Sequence, residues 1–135
     1  MKKSVKVRLV YCDGGCFGNG TNHAESYGSF TVFDGDGTKI AHERIDYPSI
    51  DTNNEAEYIA FLRAAQYISE NDKFGILWTI HSDSQLVVNG ITNGWKVNAP
   101  NLKPLNALAK MFMRDHKNVQ LIQVPREQIA KILGH

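Results

Sequence analysis

Apolar and polar residues alternate from Val5 to Cys12, with Val5, Val7, Leu9 and Tyr11 on one parity. That period of two predicts a strand whose next same-face position is Asp13. Four glycines follow within seven residues in "YCDGGCFGNG", and the chain is expected to turn there. Residues 26–34 (SYGSFTVFD) and 38–46 (TKIAHERID) are rich in β-branched and aromatic side chains, and the Asp-Gly pairs between them predict a hairpin. From Asp51 the period becomes helical. Thr52 and Glu55 fit a capping box, and Ala56, Ala60, Ala64 and Tyr67 form one stripe of a helix that ends near Asp72 to Gly75. GILWTIH reads as a strand buried on both faces, and it delivers Asp83 just past its end. Residues 84–91 predict a short helix closed by Asn93-Gly94. Leu105, Leu108, Ala109 and Phe112 predict a third helix, VQLIQV (119–124) a fifth strand, and PREQIAKILGH a short helix opened by proline.

The order predicts an α/β fold of one domain spanning 1–135, a length suited to a single core. A strand that follows a crossover helix returns parallel, so the fourth strand is expected beside the first. Asp13 and Asp83 would then lie at the carboxyl ends of adjacent parallel strands, where open α/β sheets bind ligands. Composition adds exclusions. Hydrophobic residues make up 42% and charged ones 21%, and no apolar run approaches the roughly 20 residues that span a bilayer. MKKSVKVRLV alternates, so it reads as a strand and not as a leader. Cys12 and Cys16 suit neither a two-residue redox motif nor a complete zinc site, which points to a reducing cytoplasm. A net charge of +1 leaves little general attraction for a polyanion, so such a partner must be held by local geometry or by bound metal.

Glu57 is the third acid of interest. Its helical neighbours Phe61, Ala64 and Ile68 place it toward the buried side of its helix, where a carboxylate is costly without compensation. Three converging acids repel one another, and hard divalent ions relieve that repulsion, so a magnesium site is expected at Asp13, Glu57 and Asp83. Taken singly, each acid has a plainer reading as a turn residue, a salt-bridged helix residue or a helix N-cap; their joint placement favours the metal site.

DGG after the first strand, TNNEAEY at the first long helix and HSDSQLVV after the fourth strand resemble, in order and separation, the type 1 ribonuclease H family. NGWKVNAPNLKPL and VPRE are similar to its later segments, so the resemblance covers nearly the whole chain. It implies a five-stranded mixed sheet of order 3-2-1-4-5. It also implies endonucleolytic hydrolysis of the RNA strand of an RNA/DNA hybrid with two Mg²⁺ or Mn²⁺ ions, leaving 5′-phosphate and 3′-hydroxyl ends. Asp13, Glu57 and Asp83 become the metal-binding catalytic set. Gly14 and Gly15 are expected to let the RNA backbone approach, since they carry no side chain. Asn53, Asn54 and Gln85 suit ribose 2′-hydroxyls because an amide both donates and accepts. Ser82, Trp95, Asn101 and Arg126 complete the expected substrate contacts, with Trp95 and Asn101 on the DNA strand and Arg126 on the leaving phosphate. The expected enzyme is a monomer.

The resemblance departs at the end. The family's fourth acid lies in the last helix, but VPREQIAKILGH has no acid after Glu127 and ends on His135. One reading makes His135 the fourth metal ligand, and its softer imidazole would favour manganese over magnesium. The other leaves three acids to do the work. Two further functions compete with the nuclease: a non-cleaving nucleic-acid-binding domain, and a nuclease acting on DNA ends. Retention of three upstream acids argues against a pure binder, and the Asn and Gln set argues for ribose over DNA.

Overall fold

The computed structural model describes residues 5–17, 25–47 and 52–134. Nine elements follow in order: β1 (Lys6–Phe17), β2 (Glu25–Asp34), β3 (Lys39–Tyr47), α1 (Asn53–Asn71), β4 (Ile76–Ser82), α2 (Gln85–Thr92), α3 (Lys103–Asp115), β5 (Val119–Gln123) and α4 (Arg126–Leu133). The sheet order is β3-β2-β1-β4-β5, with β1 antiparallel to β2 and parallel to β4, as expected.

One expectation fails in an informative way. The glycine-rich stretch does not turn after Asp13; β1 runs on to Phe17, paired with β2 from Arg8↔Asp34 to Phe17↔Glu25. Backbone pairing wins because both glycines relieve clashes. A Cβ on Gly14 would lie 2.3 Å from the Ala56 carbonyl, and one on Gly15 would lie 2.6 Å from the Tyr27 ring. Gly18 and Gly20 lie outside the described residues.

α1 covers one face of the sheet. Ala60, Phe61, Ala64 and Ile68 are buried against Val10, Phe30, Val32, Trp78 and Ile80. Full burial of Phe61 or Ile68 contributes about 1.5–3 kcal/mol each. Asn106 of α3 donates from Nδ2 to the Tyr58 hydroxyl at 2.9 Å and to the Gly90 carbonyl at 3.0 Å, which locks three helices together. α4 packs on the opposite face through Ile129, so β2 is buried on both sides from Ser26 to Val32. The expectation that β4 is buried on both faces is corrected: Leu77 is 48% exposed, on a sheet face where α4 packs against β1 and β2. On α3, Leu108 is 53% exposed.

The start of α1 matters most for the site. Thr52 accepts from the Glu55 amide at 3.2 Å, the first half of the expected capping box, while the Glu55 carboxylate accepts from Asn101 Nδ2 at 2.6 Å. Asn101 therefore ties the segment before α3 to the first turn of α1. Thr52→Ala is expected to lower stability by about 1 kcal/mol, read by chemical denaturation, since it orphans one N-terminal amide.

Candidate metal and nucleic-acid site

The β1–β4 ladder ends at Tyr11↔His81. Asp13 and Asp83 each lie two residues beyond that rung, so the register itself brings them together. The rung is well fixed: the Tyr11 and His81 rings stack at 4.2 Å, and His81 Nδ1 lies 2.9 Å from the Val10 carbonyl. Burial lowers the His81 pKa, which favours the neutral ring in this packed position. Glu57 enters from α1, one turn after its first residue Asn53, and its Oε1 accepts from the Gly14 amide at 3.1 Å. One ligand oxygen from each of Asp13, Glu57 and Asp83 falls within 4.8 Å of the others.

That arrangement is electrostatically costly. Burial pushes the Glu57 carboxyl up to about 9, with further upward contributions from its hydrogen bond to Asp13 and from the Asp13 and Asp83 charges. Burial and Asp13 also raise Asp83, opposed by Arg126, whose Nη1 donates to Asp83 Oδ2 at 3.3 Å. The Asp83 side chain is only 6% exposed, whereas that of Arg126 is 72% exposed, so the arginine reaches in from the rim. Three hard oxygen donors in mutual repulsion, with one rim cation, fit a divalent oxygen-seeking ion.

Metal-free native protein holds a proton on Glu57 that the unfolded chain releases above its ordinary carboxyl range. Where the native state binds the extra proton, stability falls as pH rises. Melting temperature without divalent ions is therefore expected to drop from the ordinary carboxyl range toward pH about 9, and added Mg²⁺ should flatten the profile. Glu57→Gln should flatten it as well; equal metal-free slopes in the two proteins would refute the cause.

A cleft of about 300 Å³ opens over the cluster, lined by Gly14, Gly15, Tyr27, Asn53, Asn54, Glu57, Asp83, Ser84 and Arg126. Expected contacts Gly14, Gly15, Asn53, Asn54 and Arg126 thus meet in one place. Gln85 begins α2 as an exposed residue. Ser82 is different: it is buried, its Oγ accepts from the Ser84 amide at 3.1 Å, and it shapes the turn into α2 without lining this cleft. Trp95, 46% exposed, lines a neighbouring cleft of about 260 Å³ together with Asn54, Lys96 and Ala99. His135 lies outside the described residues; α4 before it ends at Gly134 in the left-handed conformation, φ 80°. Sequence reasoning missed Tyr27 and Ser84. Tyr27 was hidden in a strand that reads as core, although its pairing with Gly15 follows once β1 is continued.

A sheet that switches from antiparallel to parallel pairing at β1, with an acidic trio at the switch, defines the ribonuclease H fold with its acid cluster in place. The RNase H family model matches residues 5–135, and the chain belongs to that family. It is similar to RNase H1 from the halophilic archaeon Halobacterium salinarum NRC-1, with 25% identity, TM-score 0.79, and coverage of 91% of this chain and 89% of that one. LC11-RNase H1, solved in complex with an RNA/DNA hybrid, is 25% identical with TM-score 0.80, covering 92% and 89%. A second structure of LC11-RNase H1, isolated from compost by a metagenomic approach, is 27% identical with TM-score 0.80, covering 92% and 88%. Comparison with curated proteins gives no match. Among the described residues no helix is long and apolar enough to cross a membrane.

Proposed function

We propose that residues 1–135 act as one ribonuclease H unit that cuts the RNA strand of RNA/DNA hybrids internally. The observation that carries this reading is the convergence of Asp13, Glu57 and Asp83 within 4.8 Å beneath a cleft. Asp13, Glu57 and Asp83 hold Mg²⁺ or Mn²⁺ as oxygen ligands, with His135 as the fourth. When bound, a pair of such ions supplies a lowered pKa for the attacking water and charge stabilisation at the leaving 3′ oxygen, giving 5′-phosphate and 3′-hydroxyl ends.

The chain's own groups set orientation and choice of strand. Asn53 and Asn54 present amides from the first turn of α1, and Gln85 does so from the start of α2, where they take ribose 2′-hydroxyls that DNA lacks. Gly15 leaves its amide beside the RNA backbone. Trp95 and Asn101 serve the DNA strand. Arg126 neutralises Asp83 in the resting protein, and its exposed guanidinium takes the leaving phosphate. Cys12, buried with its thiol donating to the His81 carbonyl at 3.7 Å, suits a reducing cytoplasm, where the protein acts as a monomer.

The test is cleavage of a labelled RNA strand in a hybrid, with Mg²⁺ and then Mn²⁺, followed by analysis of the product ends. Internal cuts leaving 5′-phosphates are expected. Binding without cleavage under both ions would transfer the protein to the non-cleaving class. His135→Ala should lose activity under both ions, and retention of full activity would remove His135 from the ligand set.

A further inference from the structure

The cleft wall formed by Tyr27 leads to a cation that, among the described residues, pairs only with Asp46 outside the cleft. Tyr27 of β2 faces Gly15 of β1, and the missing Gly15 side chain leaves the phenol ring room along the cleft. Behind it stands Arg44 of β3, whose guanidinium carbon lies 4.6 Å from the ring centroid. The register places Arg44 opposite Ser29, and Ser29 opposite Asp13, so Arg44 is two strands across from the acid cluster. Two strand spacings amount to about 10 Å between Cα atoms, and an arginine side chain spans much of that.

The charge of Arg44 remains available. Its acidic neighbour Asp46 is 3.7 Å away, and both side chains are exposed, at 46% and 80%; pairs of that kind contribute little in water. Arg126, the cation lining the cleft, is by contrast engaged with the nearly buried Asp83. A guanidinium stacked on an aromatic face keeps its edge donors free, and its planar fork matches a phosphate. The stack also limits the rotamers open to Arg44, so less side-chain entropy is lost on contact.

We propose that Arg44, seated on Tyr27, binds a backbone phosphate of the RNA strand adjacent to the phosphate over the carboxylates. The inference rests on the hybrid-nuclease reading and adds a contact on the β2–β3 side of the cleft. Arg44 is the binding residue and Tyr27 its positioning residue.

Binding of a fluorescently labelled RNA/DNA hybrid to the full chain, without divalent ions and from about 50 to about 200 mM salt, tests it. Arg44→Ala should weaken binding about fivefold at the lower salt and reduce the slope of log K against log salt by about 0.9, the loss of one phosphate contact. Arg44→Lys should restore the slope and only part of the affinity. Tyr27→Leu should weaken binding while leaving the slope unchanged. In cleavage assays with Mg²⁺, the loss in Arg44→Ala should fall on KM and not on kcat. A wild-type slope and KM in Arg44→Ala, in a protein that binds and cleaves the hybrid, would overturn the phosphate contact alone. A wild type that neither binds nor cleaves the hybrid would overturn both readings.

Discussion

Asp83→Asn is expected to reduce hydrolysis of the RNA strand by on the order of 10³-fold or more, the scale lost when one member of a group that acts as a unit is removed. The substitution keeps size and shape and removes one charge from a cluster whose oxygens lie within 4.8 Å. Cation affinity should fall, visible by calorimetric titration with Mn²⁺. Metal-free stability should move the other way. Asp83 raises the Glu57 pKa and is itself raised by burial and Asp13, so removing its charge relieves repulsion in the resting protein. A variant that is more thermostable without metal, less stabilised by metal and nearly inactive separates a ligand role from a folding role. A residual rate near that of wild type would mean that Asp83 only anchors Arg126 at the rim, the cap of α2 being supplied by Ser84.

The sequence disclosed most of this cluster because its three acids sit at positions fixed by regular structure. Asp13 follows from strand parity, Asp83 from the end of an apolar run, and Glu57 from the helical stripe that includes Phe61, Ala64 and Ile68, all fully buried. What stayed hidden depends on contacts between distant segments. Nothing local to DGGCF tells a turn from a continued strand; the decision lies in the β2 partner and in the helix packed above. The cover supplied by α4 likewise decides that Ser26 to Val32 is buried on both faces while Leu77 is left open. Asn101 read as a substrate contact from its segment, and its link to Glu55 depends on a separation of 46 residues.

Gly14→Ala is expected to cost about 3 kcal/mol, at the upper end for overpacking, which corresponds to roughly 10 °C in melting temperature for a domain of this size. The new methyl group would lie 2.3 Å from the Ala56 carbonyl carbon and oxygen and 2.6 Å from the Glu57 nitrogen. These are backbone atoms of α1 near its N-terminus, so no side chain can swing aside and the helix itself must move. Because one of them is the nitrogen of Glu57, which also accepts from the Gly14 amide, the shift disturbs a proposed metal ligand, and activity should fall with stability. Gly15→Ala provides the contrast: its methyl group meets the Tyr27 ring, a side chain able to rotate, and a loss of about 1 kcal/mol is expected. If Gly14→Ala melted like wild type and lost only hybrid affinity, the glycine would be there to admit the RNA backbone. A large loss of stability in the absence of any substrate would assign it to the contact between β1 and α1, which fixes Glu57 over the two aspartates.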